Sequence, residues 1–282
     1  SGGRVSMEKK SYSTGEAVVY RNGALETGDF TRSLFLNPGS IGLKRWQDYQ
    51  SVMRNDHGLI GYFPFLEIQP GVVHNFAQFD RQPEFSVLPD GKIFSATWVE
   101  GRWPGKRALM FETAFDHVAL EIPGQHQELT FAAWLKLDRI NNSHNVILNS
   151  NGWGPGAIHW QVDRMGGPWL ATFGHAKTNI SKCVPVGRWV HVASTISTKT
   201  GIGKTYLNGN LASEYELTET DGVIEPGLCR IGNWLNPKNP RNTRAFSGRI
   251  DELMIWKRSI GEDEIIAMVE SGKPSAAWQK VW

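Results

Sequence analysis

Paired carboxylates are the first residues of this sequence whose types and spacing could do chemistry. Hydrolysis of a glycosidic bond needs two carboxyl groups that flank the bond, and only alternate positions of a strand share one face. Asp251 and Glu252 are adjacent, so strand alternation predicts that their side chains lie on opposite faces. The run Glu262-Asp263-Glu264 falls at the predicted start of a helix, where acidic residues favour the N-terminus. Neither group predicts a glycosidase.

Histidine and nucleophile patterns give no stronger indication of catalysis. The eight histidines are scattered, and none forms a His-x-x-x-His or Glu-x-x-His pattern. His191 lies in a predicted strand beside Trp189, which favours a buried core histidine. A Gly-x-Ser-x-Gly elbow and a phosphate-binding loop are both missing from the sequence. These patterns favour a protein without catalytic activity, although they leave the question of an enzyme open.

A basic stretch beside a tryptophan is the sharpest candidate for ligand binding. Lys238, Arg241 and Arg244 follow Trp234, and no acidic residue lies between positions 235 and 249. Arginine forks match the geometry of carboxylate and sulfate groups, and an indole offers a flat apolar face to a sugar ring. The stretch therefore predicts binding of an acidic polysaccharide, with a solvated basic loop as the alternative.

A second candidate is the loop Asn-Ser-Asn-Gly-Trp-Gly-Pro-Gly at residues 149–156. Glycine and proline favour a turn here, which places Trp153 at its tip. The amide of Asn151 can both donate and accept hydrogen bonds, as sugar hydroxyls require. Two further tryptophans nearby, Trp160 and Trp169, are expected in core strands.

Composition limits the possible partners. The chain has 282 residues, with 30 Lys and Arg against 28 Asp and Glu, and a net charge of +2. A nucleic-acid partner is not predicted, because proteins that neutralise many phosphates carry a larger basic excess. No apolar run approaches the roughly 20 residues of a membrane helix, so membrane insertion is not predicted. Cys183 and Cys229 are compatible with two buried thiols or with one disulfide.

Short strands and turns dominate the predicted elements. Asn22-Gly23 predicts a tight hairpin turn near the N-terminus. A linking helix is predicted from an N-cap at Ser40 to about Asp56, with its apolar residues on one face. Alternation from Leu129 to Leu137 predicts a strand, and a short helix is predicted from Gly261 to Glu270.

Ordered motifs along the chain resemble a known family. They are Tyr62-Phe63-Pro64-Phe65-Leu66-Glu67, Ala108-Leu109-Met110-Phe111, Phe131-Ala132-Ala133-Trp134-Leu135-Lys136, Gly187-Arg188-Trp189-Val190-His191-Val192-Ala193, Tyr206-Leu207-Asn208-Gly209, Arg230-Ile231-Gly232 and Phe246-Ser247-Gly248-Arg249-Ile250-Asp251-Glu252-Leu253-Met254-Ile255-Trp256. In this order they resemble the LamG-like (laminin G/pentraxin, concanavalin A-like) jelly-roll superfamily. The resemblance implies an all-β fold, a two-sheet antiparallel jelly-roll sandwich over residues 59–272. An N-terminal hairpin and linking helix (1–58) would precede this domain, and a tail (273–282) would follow it.

The function implied by the resemblance is broad, because this fold hosts lectins, adhesion modules, enzymes and spacers. Gly15-Glu16-Ala17-Val18 and the hairpin after it resemble the end of a FecR-type periplasmic sensor domain, which implies an extracytoplasmic location in the periplasm or at the cell surface. We expect a non-catalytic module that binds carbohydrate or a glycoprotein. The alternatives are a structural or protein-interaction module of a cell-surface sensor and, third, a polysaccharide-degrading enzyme.

A structural Ca²⁺ ion is also implied by the resemblance. The closing strand of the family suggests Asp251 as a ligand, with Glu67 near the first strand as a second oxygen donor. The alternative is that Asp251 only orders a turn or a strand edge. In pentraxins an acidic loop follows the equivalent of Arg230-Ile231-Gly232, whereas the loop here is basic, so a pentraxin-type calcium-dependent ligand site is not predicted.

Overall fold

Two antiparallel β-sheets packed face to face form the main body of the structure, which is a computed structural model. The structure describes residues 17–21, 24–28, 38–77, 87–140, 142–172, 181–217, 222–234 and 244–274. Strands are numbered along the chain, and the N-terminal hairpin of β1 (Ala17–Arg21) and β2 (Ala24–Gly28) forms a small sheet of its own. The seven-stranded sheet consists of β4 (Val72–Val73), β5 (Gly91–Phe94), β8 (His117–Ile122), β10 (His144–Ser150), β11 (Ile158–Asp163), β12 (Pro168–Thr172) and β16 (Gly227–Ile231), in the order β12-β11-β10-β16-β8-β5-β4.

The eight-stranded sheet consists of β3 (Leu59–Phe63), β6 (Thr97–Glu100), β7 (Arg107–Phe111), β9 (Glu128–Leu137), β13 (Trp189–Ser197), β14 (Ile202–Leu207), β15 (Asn210–Glu216) and β17 (Gly248–Trp256). Its order is β15-β14-β13-β9-β17-β7-β6, and β3 pairs with β17. The predicted all-β, two-sheet antiparallel sandwich is confirmed.

Side-chain alternation separates the two faces of each sheet. In β9, Phe131, Ala133 and Leu135 point into the main core between the sheets, whereas Ala132 and Trp134 point to the opposite face. Residues on both faces of β9 are buried, so the outer face of the eight-stranded sheet must be covered by something else.

Two helices cover that outer face. Helix α1 (Pro38–Met53) buries Leu43, Trp46 and Met53, and helix α2 (Glu262–Gly272) buries Ile265 and Met268. Their apolar side chains pack with Ala132, Met254 and Trp256 of the sheet. The outer face of the seven-stranded sheet has no such helix among the described residues, and it therefore becomes the sheet face on which to search for a site.

A β-bulge in β17 changes the direction of one carboxylate. The register against β9 passes from Asp251 opposite Trp134 to Leu253 opposite Ala133, which leaves Glu252 as the extra residue, with φ of 69°. Both carboxylates then lie on the helix-covered side and bind Arg102. The prediction that they lie on opposite faces is wrong, because a bulge inserts one residue and interrupts strand alternation.

Local turn and helix signals were largely sufficient to place the short elements. Asn208 and Gly209 adopt φ of 51° and 80° between β14 and β15, and both values fall in the left-handed region of a tight hairpin turn. The predicted N-terminal hairpin is confirmed by the pairing of β1 with β2. Helix α1 begins at Pro38, two residues before the predicted cap, since proline is well tolerated in a first helical turn.

The two cysteines are not joined. Cys183 is exposed and Cys229 is buried, and both are free thiols. Burial raises the pKa of the Cys229 thiol to about 12, so it is an unreactive core group at neutral pH. Of the two alternatives, the disulfide is therefore wrong, and burial applies to Cys229 alone.

Candidate functional site on the outer face of the seven-stranded sheet

Polar side chains line part of the outer face of the seven-stranded sheet. In β11, Ile158 and Trp160 point into the main core, so His159 and Gln161 point outward. Register pairs His159 with Asn149 of β10 on the same face. All three polar residues have no exposed surface although they face away from the main core. We call Asn149, His159 and Gln161, with the residues that pack on them, the outer-face cluster.

The amides of the outer-face cluster have unused hydrogen-bonding capacity. In Asn149 and in Gln161, both the amide oxygen and the amide nitrogen are buried and have no hydrogen-bond partner among the described residues. The same holds for the indole N–H groups of Trp169, which lies opposite Gln161, and of Trp234. A buried polar atom without a partner costs about 1–3 kcal/mol, and native proteins rarely leave such atoms unpaired. The cluster thus contains buried donors and acceptors that no described group satisfies.

Three aromatic rings form a row beside these amides. The His159 ring lies edge-to-face with Trp153, at a centroid distance of 4.2 Å, and with Trp234, at 5.4 Å. Trp153 is 50% exposed, whereas Trp234 is 7% exposed. The row therefore presents one open indole to solvent and a second indole that supports the histidine from the inner side.

Arg244 is held over Trp234 as a fixed cation. Its guanidinium carbon lies 4.2 Å from the ring centroid, and Nη1 lies 3.2 Å from Nδ1 of His159. Because arginine can only donate, Nδ1 is the acceptor and the ring proton is on Nε2, which donates to the Gly152 carbonyl at 2.9 Å. The Nε–H of Arg244 is buried and has no hydrogen-bond partner within the described part of the chain.

Burial keeps His159 neutral. Removal from water lowers the pKa of His159 from 6.5 to about 4, and the neighbouring Arg244 contributes in the same direction. The hydrogen bond to Gly152 opposes this shift without cancelling it. At neutral pH the cluster therefore has the positive charge of Arg244 beside an uncharged imidazole.

The structure brings together three of the residues proposed from the sequence. Trp153, Trp234 and Arg244 all pack around His159, although they come from two separate candidate loops. Asn151 is exposed in the loop that contains Trp153. The remaining two residues, Lys238 and Arg241, lie outside the described residues, and their role stays a prediction.

Sequence reasoning missed His159 and Gln161, and it placed Asn149 in the candidate loop at residues 149–156, whereas Asn149 lies in β10. The available signal was a run of polar residues at alternate positions of an otherwise apolar strand, 159, 161 and 163, which also fits a solvated sheet face. The third of these residues, Asp163, orders the turn into β12 by accepting hydrogen bonds from the backbone N–H groups of Met165 and Gly167. Of the two tryptophans expected in the core, Trp160 lies there, whereas Trp169 is buried on the outer face.

The two residues predicted as calcium ligands have cationic partners instead. Asp251 has no exposed surface and accepts from Arg102 Nε at 2.9 Å through one oxygen and from Lys106 Nζ through the other. Glu67 accepts from Arg107 Nε at 2.9 Å. Ca²⁺ requires six to eight oxygen ligands, and no group of three potential metal-binding side chains occurs within the described ranges. The surroundings of Asp251 do not fit a cation, because two positive charges already neutralise it.

Comparison with known proteins assigns the family. A laminin G family model described as the concanavalin A-like lectin/glucanases superfamily matches residues 112–266, more than half of the chain. The chain belongs to this superfamily. The resemblance seen in its motifs is thereby confirmed for the jelly-roll domain, whereas the FecR-type resemblance of the N-terminal segment stays a prediction.

Curated relatives of this superfamily member include a pentraxin. The pentraxin-related protein PTX3 of Mus musculus is 27% identical over 183 residues, which cover 61% of this chain and 48% of the mouse protein. The protein of the same name from Homo sapiens is 31% identical over 87 residues, or 29% of this chain and 23% of the human protein. The chain thus spans about half the length of the mouse relative and less of the human one.

Solved structures with the same fold come from carbohydrate-active proteins. Domain 4 of AbnA, an extracellular arabinanase from Geobacillus stearothermophilus in complex with arabinotriose, superimposes with a TM-score of 0.55 at 14% identity, over 75% of this chain and 98% of that domain. Trypanosoma rangeli sialidase in complex with sialic acid superimposes with a TM-score of 0.58 at 13% identity, over 89% of this chain and 43% of the sialidase. These identities establish the fold alone. Among the described residues, no helix is long and apolar enough to cross a membrane.

Proposed function

We propose that this protein is a non-catalytic, extracytoplasmic module that binds carbohydrate or a glycoconjugate at the outer-face cluster. One observation carries the proposal: two buried amides, Asn149 and Gln161, lack hydrogen-bond partners among the described residues and lie beside the half-exposed indole of Trp153. A sugar ring presents an apolar face and a rim of hydroxyl groups. Those two features match an open indole beside groups that can both donate and accept.

An acidic sugar is the ligand class that the charges favour. Arg244 is fixed by Trp234 and His159, and its Nε–H lacks a partner among the described residues. A pre-oriented guanidinium can bind a carboxylate or sulfate through parallel hydrogen bonds, at lower entropic cost than a mobile lysine. Lys238 and Arg241 of the adjoining loop would add positive charge.

The carboxylates of this sheet support a non-catalytic role. Asp163 of β11 and Glu121 of β8 point to the outer face. Three strand spacings of about 4.8 Å place them at least about 14 Å apart. Paired carboxyl groups in glycosidases lie within about 10 Å of each other. Asp163 is moreover engaged in a turn, so the two cannot flank one glycosidic bond.

One of the structural neighbours supports carbohydrate as the ligand class. Domain 4 of the arabinanase, which is matched over 98% of its length, was solved in complex with arabinotriose. The match to the sialidase covers 43% of that protein and does not tie its sialic acid to the shared fold. The proposed extracytoplasmic location rests on the family resemblance, and the extracellular arabinanase is consistent with it.

Binding to a glycan array that includes neutral, uronic and sulfated polymers tests the proposal. We expect acidic polymers to bind and Trp153→Ala to weaken binding roughly tenfold, about 1.4 kcal/mol, without lowering stability, since the indole is half exposed. Val52→Ala, an exposed apolar deletion on α1, is the matched control and should bind normally.

Gln161→Met separates a binding role from a structural one. Methionine has a similar shape and no amide, so the variant should lose affinity while its free energy of unfolding stays level or rises, because an unpartnered buried amide is removed. Loss of stability together with affinity would mean that Gln161 only supports the fold. Capture of a protein without glycan binding would favour an interaction module, and release of reducing ends would favour an enzyme.

A further inference from the structure

A second aromatic platform lies on the same sheet face as the outer-face cluster. The rings of Phe94 in β5 and His117 in β8 stack with a centroid distance of 4.7 Å and an interplanar angle of 6°. Phe94 is 39% exposed, which is unusual for a phenylalanine whose ring is held flat against a neighbour. His117 Nδ1–H donates to the Phe115 carbonyl at 2.7 Å, so the stack is fixed in place and Nε2 is left as an acceptor.

Strand register connects this platform to the outer-face cluster. One row of outward residues crosses five strands: His159 (β11), Asn149 (β10), Arg230 (β16), Ala119 (β8) and Lys92 (β5). Four strand spacings of about 4.8 Å make this row about 19 Å long.

Ala119 is the smallest residue of this row and lies between Arg230 and Lys92. One step along the strands, Phe94 and His117 lie on one side of it, and Leu228 and Glu121 lie on the other. Binding groups that follow one another across the strands suit a linear chain better than a compact ligand.

Two cations stand in the row without an acidic partner. Arg230 and Lys92 form no ion pair with any described carboxylate, and the Nζ of Lys92 lies 5.4 Å from the Phe94 ring centroid. Burial lowers the pKa of Arg230 from its usual value, which reflects a guanidinium partly withdrawn from water without a counter-ion. Together with Arg244, the face carries three cations spread along its length.

We infer that the ligand is an extended acidic polysaccharide that lies across the strands from Trp153 to the Phe94–His117 stack, with its anionic groups on Arg244, Arg230 and Lys92. This inference rests on the proposed function and adds a second sugar platform and a chain-length requirement. A mono- or disaccharide would fill the outer-face cluster alone, whereas a longer chain would reach the stack and gain affinity from both ends.

Calorimetric titration with a size series of alginate or heparin oligosaccharides, from disaccharide to octasaccharide, tests the inference. Affinity should rise about tenfold or more once the chain is long enough to reach the stack. Phe94→Ala should remove that rise and leave disaccharide binding unchanged. Lys92→Gln, at an exposed position that poses no folding risk, should reduce both the rise and its dependence on salt.

The outcomes distinguish the inference from the proposed function. Binding of the disaccharide with no gain at greater length, or a gain that Phe94→Ala and Lys92→Gln leave intact, overturns the extended path alone. Absence of binding at every length and for every acidic polymer overturns the proposed function as well. Val52→Ala again serves as the control and should reproduce the full length dependence.

Discussion

His191 shows how an isolated residue can control the pH response of this fold. Its ring has no exposed surface, packs edge-to-face on Trp134 at 5.3 Å, and leaves both nitrogens without a hydrogen-bond partner among the described residues. Burial, with a smaller contribution from Arg102, lowers the pKa of His191 from 6.5 to about 3. The sequence-based expectation of a buried core histidine is confirmed, whereas its lack of partners could not be foreseen.

Acid should therefore destabilise the protein well before its carboxylates titrate. Between pH 6.5 and about 3 the unfolded chain binds a proton at position 191 and the folded chain does not, so the free energy of unfolding falls as the pH falls through this window. At about 1.4 kcal/mol per pKa unit, the full effect is on the order of 5 kcal/mol. Urea denaturation at pH 7, 6 and 5 measures the slope.

His191→Leu isolates this contribution. The variant should be as stable as the parent chain or about 1 kcal/mol more stable at pH 7, because an unpartnered polar ring is removed, and its stability should fall less steeply toward pH 5. The buried His159 would supply the remaining slope, since its pKa is also lowered. Parallel slopes for parent and variant would show that His191 is protonated normally in the folded state.

At the scale of elements, the bulge in β17 ties the helices to the sheet. Arg102 donates to Glu252 at 2.6 Å and to the Gly272 carbonyl at the end of α2, at 2.9 Å. Trp46 of α1 and Tyr62 of β3 both donate to the other Glu252 oxygen, at 2.7 and 2.8 Å. Asp251 and Glu252 balance the charges of Arg102 and Lys106 in a site with almost no solvent contact. Removal of one of these charges should therefore lower the free energy of unfolding strongly.

Asp251→Asn should lower the free energy of unfolding by about 3–5 kcal/mol, because two buried cations would then share one carboxylate. Asp48→Asn, which breaks an exposed ion pair with Lys44, is the matched control and should lower the free energy of unfolding by less than about 1 kcal/mol. Thermal melting with and without a chelator completes the test. A chelator-dependent midpoint in the parent chain would contradict the ion-pair assignment and support a Ca²⁺ ligand.

Elements were predictable from the sequence where local chemistry determines them. The alternation in β9 and the N-terminal hairpin of β1 and β2 depend on neighbouring residues alone, and both were placed correctly. The bulge at Glu252 depends on a buried partner 150 positions away, Arg102, which no local pattern indicates. The outer-face cluster was half predictable for the same reason: the loop residues Trp153 and Trp234 were conspicuous, whereas His159 joins them only through strand register.

At the scale of the whole molecule, the two outer sheet faces differ in what covers them and in the side chains they carry. Helices α1 and α2 seal the outer face of the eight-stranded sheet with an apolar layer, whereas the opposite face carries polar and aromatic groups. The linking helix is thus part of the packing of the jelly roll, although the sequence places it in a separate N-terminal segment.

A chain that begins at Leu59 should therefore be less stable than one that begins at Pro38. Without α1, the sheet would lose cover from Met53, and Glu252 would lose Trp46 as a hydrogen-bond donor. We expect a lower urea midpoint and stronger binding of an apolar dye to the shorter chain. Both chains lack residues 1–37 and only the longer one retains α1, so equal midpoints for the two would show that the helix is dispensable.

The uneven exposure of the tryptophans gives the protein an internal reporter. Within the described ranges, Trp153 is the one exposed indole; Trp98 is partly covered and the others are buried. Its emission should lie at longer wavelength than that of the buried rings and should respond selectively to a collisional quencher such as iodide. A molecule that binds on Trp153 would shield it, so the loss of quenching would report occupancy of the outer-face cluster without any added label.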